Sequence, residues 1–238
     1  MKQMVSLSLM IGLTALLLAP KPCQGASAED VKEALQALGE YIGEWKGTGG
    51  PDKPKAGPKD KIWAEEISWS WRFKGDDAWM SMTVKKGTYF KGGELRYLPG
   101  KKVYEFTALQ ADDTKQVFTG TIKNDNLILE SKDAKTGEVQ ILTMNNAAEG
   151  ARFIYRLSRK KAGSTLVTKD FMVATTREGV SLGAREKKNE CVVSGGLGTS
   201  SVSYKGETFY ICCSGCADAF RENPEKYVTE FKAKKKKK

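Results

Sequence analysis

The chain has 238 residues, 39 basic and 29 acidic side chains, a formal net charge of +10 and no histidine. The missing histidine excludes imidazole-based catalytic triads, His-Glu-x-x-His zinc hydrolases and histidine-ligated haem. Lys2 and Lys21 carry +2 and the tail 232–238 carries +6, which leaves only +2 for residues 29–231, so the basic excess does not describe a nucleic-acid groove.

Residues 1–28 read as a secretory signal. Lys2 is a short positive n-region, the apolar run LSLMIGLTALLLA follows, and Ala26-Ser27-Ala28 is an A-x-A cleavage site, with Gly25 as the competing position. The run is too short for a membrane span of about 20 residues. Cys23 follows Lys21 and Pro22, which do not suit a lipoprotein signal. The expected product is an exported protein, periplasmic or secreted.

A short amphipathic helix is expected over 30–38, where Val31, Leu35 and Leu38 recur on one face. Gly43-Glu44-Trp45-Lys46-Gly47 then leads into a Pro/Gly/Lys-rich loop over 49–60. Beyond it the period becomes two: Ile67, Trp69, Trp71 and Phe73 alternate with Glu66, Ser68, Ser70 and Arg72. Further strands are expected over 78–84, 89–98, 103–109, 116–122, 127–130, 139–144, 152–157 and 165–173. Asn124-Asp125-Asn126 is a hairpin turn. Strands every 10–13 residues with short turns and no helical pattern between them signify an antiparallel sandwich or up-and-down barrel. Asp76-Asp77, Asp112-Asp113 and Glu65-Glu66 read as turn and strand-surface residues rather than acid–base pairs, so no enzyme is expected in this region. The tryptophans and methionines on the strands read as core.

The short helix, the Gly-x-Trp on the first strand and the continuous meander resemble the lipocalin-like and nitrobindin-like barrels. The resemblance implies a barrel over 30–184, with Trp45 plugging one end and Gly43 and Gly47 allowing close packing. It also implies space for one small apolar ligand. Nitrobindin-like haem binding does not carry over, since it needs a histidine; no haem is expected.

A charged linker, residues 185–189, precedes the remaining cysteines, Cys191, Cys212, Cys213 and Cys216. Val202-Ser203-Tyr204 and Thr208 to Ile211 read as a small hairpin. Ser214 is placed to cap a helix that Asn223-Pro224 ends, and 225–231 is a second helix. The spacing is C-x20-C-x3-C. A strand end and a first helical turn set Cys212 and Cys216 side by side, and an upstream knuckle brings Cys191 to them. Three convergent thiolates suit zinc or Cu(I), and a unit this small gains from a metal staple.

This segment, 189–231, resembles the YHS domain, a TRASH-like treble-clef metal-binding module. The residues that carry the resemblance are Cys191-Val192-Val193-Ser194-Gly195, Tyr204 through Cys216, and Phe220 through Asn223-Pro224-Glu225-Lys226-Tyr227. It implies that Cys191, Cys212 and Cys216 are the metal ligands. Cys213, a water, a carboxylate such as Glu190 or an open position could complete the shell.

The expectation is thus a mainly β protein, an antiparallel lipocalin-like barrel followed by a small α+β treble-clef-like module. Its function would be non-enzymatic binding of a zinc or copper ion. The alternative function is binding of a small apolar ligand in the barrel, with the module as a metal- or disulfide-stapled appendage. Export also leaves structural disulfides open, and Cys213-Ser214-Gly215-Cys216 leaves thiol–disulfide exchange. The lysine tail 232–238 is expected to be disordered and to touch anionic surfaces at most.

Overall fold

The structure, a computed structural model, describes residues 28–53, 57, 60–179 and 189–236. The signal segment up to Ser27, with Cys23, and the charged stretch 185–188 lie outside the described residues.

Helix α1 (Ala28–Gln36) and a 3-10 turn (Gly39–Tyr41) precede ten strands: β1 (Gly43–Pro51), β2 (Trp63–Lys74), β3 (Asp77–Lys85), β4 (Phe90–Leu98), β5 (Val103–Gln110), β6 (Lys115–Lys123), β7 (Asn126–Lys132), β8 (Val139–Ala147), β9 (Arg152–Lys160) and β10 (Val167–Arg177). Each pairs antiparallel with its neighbour in sequence, and β1 also pairs with β10, which closes the barrel. The expected mainly β, antiparallel barrel is therefore observed.

The alternation read from the sequence gives each strand one face for the interior and one for solvent. On β3 Ala78, Met80, Met82 and Val84 are buried while Asp77, Thr83 and Lys85 face water. Asn124 and Asp125 both take positive φ, 49° and 60°, which suits the tight turn between β6 and β7. At Gly47 a Cβ would strike the Ala174 carbonyl, so only glycine lets β1 and β10 approach there.

Side chains fill the interior. Trp45, Trp69, Trp71, Phe106, Phe118, Phe153, Tyr155 and Phe171 are all less than 2 % exposed. Burial of each large apolar side chain contributes about 1.5–3 kcal/mol. Trp45 plugs the end nearest α1, its Nε1–H donating to the Tyr41 carbonyl at 2.8 Å. Arg177 covers its ring at 4.2 Å and donates to the carbonyls of Ile42, Glu40 and Gly150. At the opposite mouth a cavity of about 260 Å³ is lined by Tyr89, Phe90 and Leu157 but also by Gln110, Gln140 and Arg159.

Glu65 departs from the surface role expected of it. It is 1 % exposed, inside the barrel, where it accepts from Tyr155 Oη at 2.5 Å and Trp63 Nε1 at 2.8 Å. Glu66 does face outward, 2.7 Å from Lys86. Burial pushes the Glu65 carboxyl above the usual range, and its two hydrogen bonds oppose that shift.

After the barrel come β11 (Ser200–Tyr204), β12 (Glu207–Ile211), α2 (Ser214–Glu222) and α3 (Pro224–Lys236). One continuous apolar cluster runs from the barrel into this unit and includes Trp71, Cys191, Cys212, Cys216, Phe209 and Phe220. The tail departs from expectation: α3 continues through 232–236 instead of fraying at Lys232. Lysine tolerates helix well, and cations at a helix C-terminus are favourable. Lys232 also pairs with Glu207 at 2.6 Å, and Lys235 lies 4.5 Å over the Phe231 ring.

Candidate metal centre

Three local structures deliver the cysteines. The first is a knuckle: the Cys191 N–H donates to the Gly196 carbonyl at 2.7 Å, and the Gly195 N–H donates back to the Cys191 carbonyl at 2.8 Å. Gly195 takes φ +77° to close it. Val192 N–H donates to the Tyr210 carbonyl at 2.8 Å, which pins the knuckle to β12. The second is the end of β12, which presents Cys212. The third is the first turn of α2, which presents Cys216. The expected capping role of Ser214 is not observed. Cys213 occupies the N-cap with extended backbone, and exposed Ser214 is the first helical residue. The chain leaves the hairpin fully extended, so the turn into the helix falls one residue earlier than the cap preference of serine suggests.

The result is a compact donor set. The sulfurs of Cys191, Cys212 and Cys216 are buried and lie within 4.8 Å of one another, with Cys212 and Cys216 at 3.5 Å. A zinc–sulfur bond of about 2.3 Å in a tetrahedral site sets sulfurs about 3.8 Å apart, so this spacing fits a common ion. Cys213 and Glu190, both considered for a fourth position, are outside that group of three. The Cys213 sulfur is nonetheless 3.8 Å from that of Cys212.

Residues that sequence reasoning passed over support the cluster. Ser194 is buried; its N–H donates to Cys191 Sγ at 3.5 Å and its hydroxyl lies 3.3 Å from Cys212 Sγ. Gln36, on α1, donates to the Ser194 carbonyl at 2.6 Å. The barrel contributes Trp71, whose N–H donates to Cys213 Sγ at 3.4 Å. At Gly215 a Cβ would collide with the Trp71 carbonyl, so α2 rests directly on the β2 backbone. These contacts join segments up to 158 residues apart, and no local spacing announces them.

The thiols do not ionise alike. Hydrogen bonds from Cys212 and Cys216 hold Cys191 low, at about 2, and hydrogen bonding within the same cluster pulls Cys213 down to about 3. Cys212 is pushed up by its hydrogen bonds to Cys191 and Cys213, and Cys216 by burial. Crowded buried sulfurs cannot all carry charge unless a cation joins them. Lys32 and Arg177 stand near enough to interact with Cys216 and Cys212 respectively, although burial depresses both of these cations.

Comparison with curated proteins finds no match. Among solved structures, the crystal structure of Rv2717c from M. tuberculosis is similar, with 16 % identity over 61 % of this chain and 97 % of that one, at a TM-score of 0.40. Cys191 lies upstream of the segment that matches a known family, whereas Cys212, Cys213 and Cys216 lie inside it: residues 199–230 match the YHS domain.

Proposed function

We propose that the protein is an exported, non-enzymatic binder of one soft heavy-metal ion, zinc or Cu(I), with Cys191, Cys212 and Cys216 as its ligands. The observation that carries this reading is the cluster of three buried sulfurs, two of them within the YHS match. Sulfur-only donors favour soft or borderline ions over magnesium or calcium. When bound, the ion supplies the positive charge that lets all three sulfurs exist as thiolates. Ser194 and the knuckle amides hold the sulfurs in place, and the barrel end excludes water from one side. Export rests on the pattern of residues 1–28.

Elemental analysis of protein purified from its native compartment tests the reading. One zinc or copper ion per chain is expected, lost when the three cysteines are changed to serine. Free-thiol counts separate the rivals: protection released by a chelator means metal, whereas protection released only by reductant means disulfides and sinks the proposal. N-terminal sequencing of the mature chain tests export, with Glu29 expected as its first residue.

A further inference from the structure

Of the four cysteines at the centre, three are buried and one is only partly covered. Cys191 and Cys216 are fully covered and Cys212 is 7 % exposed, whereas Cys213 is only half-buried. Its neighbour Ser214 faces solvent. The Cys213 sulfur stands outside the compact trio yet 3.8 Å from Cys212 Sγ, a spacing that one ion can bridge.

The barrel fixes it there. β2 overruns β1: Gly43 is paired with Trp69, and beyond that point the β1-facing edge of β2 has no strand partner among the described residues. The Trp71 N–H on that edge donates to Cys213 Sγ, and α2 packs on the Trp71 carbonyl through Gly215. A sheet edge that would otherwise be bare thus holds a sulfur at the N-terminus of a helix, where negative charge is favoured.

We propose that Cys213 is the exchange ligand of the metal centre, the sulfur through which an ion is received from and surrendered to a small thiol carrier. The proposal rests on the metal-binding reading above. The incoming ion, held by carrier thiolates, forms a bond to the Cys213 sulfur as one carrier bond breaks. Cys212 bonds next and the last carrier bond breaks. Cys191 and Cys216 then bond to the ion as the Cys213 bond breaks. Each protein thiol that bonds loses its proton to solvent or to a departing carrier thiolate, and the oxidation state of the ion does not change. Release runs the same steps backwards.

The test uses the full mature chain loaded with Cu(I) under anaerobic conditions and challenged with a chromophoric Cu(I) chelator. Cys213→Ser keeps an oxygen acceptor for the Trp71 N–H. It should retain one ion per chain and an affinity within about threefold of the parent, yet surrender the ion about tenfold more slowly or worse. An unchanged exchange rate overturns the proposal. So does loss of the ion, which would make Cys213 a resident ligand instead. A parent chain that takes up neither Cu(I) nor zinc refutes the underlying metal reading, a separate result. A second measurement needs no variant: iodoacetamide applied to the loaded parent chain should modify Cys213 first, and the modified chain should exchange slowly. Modification of Cys191, Cys212 or Cys216 at an equal rate overturns the proposal.

Discussion

Arg177 holds three carbonyls, from Ile42, Glu40 and Gly150, and roofs the Trp45 indole. Only a planar guanidinium reaches all three at once. Arg177→Lys keeps the charge but cannot fork, and Arg177→Ala leaves buried carbonyls unpaired. Urea unfolding should show losses of about 1.5 kcal/mol or more for lysine and about 3 kcal/mol or more for alanine. Equal, negligible losses would mean that water replaces the guanidinium freely. Glu65 makes the opposite prediction. Its folded pKa lies above the unfolded value of about 4.3. Between those two values the native state keeps a proton that the unfolded chain has released, so stability falls as pH rises and levels off above the folded pKa. Glu65→Gln removes this dependence. The stability of the variant relative to the parent should therefore climb as pH rises from about 4 toward neutrality. A difference that stays constant with pH would show that Glu65 titrates normally. The inward direction of Glu65 is legible in its phase with Ile67, Trp69 and Trp71, while its acidity alone points to the surface. Arg177 was not legible, since its partners are backbone carbonyls up to 137 residues away.

At the level of elements, nine strands, β2 to β10, and the C-terminal hairpin could be read from alternation and turn residues, and their order fixes the antiparallel meander; β1 rested on the Gly-x-Trp resemblance, and its residues 49–51, expected in the loop, pair with β10 instead. Alternation alone could not tell a closed barrel from a sandwich, because the β1–β10 pairing joins residues at opposite ends of the barrel segment; the lipocalin-like resemblance pointed to the barrel. The use of the free β2 edge could not be read either, because it depends on β1 beginning at Gly43 while β2 runs on to Lys74. That edge is the seat of α2. Gly215→Ala sets a methyl group against the Trp71 carbonyl and should cost about 1–3 kcal/mol as α2 shifts. Hydrogen exchange at the Trp71 amide should accelerate in the same variant, because its acceptor, Cys213 Sγ, moves with the helix. A variant with parental stability and parental protection at Trp71 would show that α2 is not seated on the strand.

At the scale of the whole molecule, the barrel and the cysteine module share one apolar cluster. The candidate ligand set could be read from the C-x20-C-x3-C spacing, whereas its burial against the barrel and α1 could not. This shared core couples the proposed metal centre to the entire fold. An ion that binds only the native state at about a thousand times its dissociation constant adds about 4 kcal/mol. For a chain of this size that raises Tm by about 8–16 °C. Calorimetry of metal-loaded and chelator-treated protein should show one transition in each case, displaced as a unit. A module transition that moves while the barrel transition stays fixed would refute the coupling. The shift must also depend on pH. Cys212 and Cys216 are held above the normal thiol range and must lose their protons to bind the ion. Protons therefore compete with the metal, and the gap between loaded and stripped Tm should narrow as pH falls from about 8 to about 5.5. A gap that widens on acidification would mean that the ion is held by groups other than these thiols.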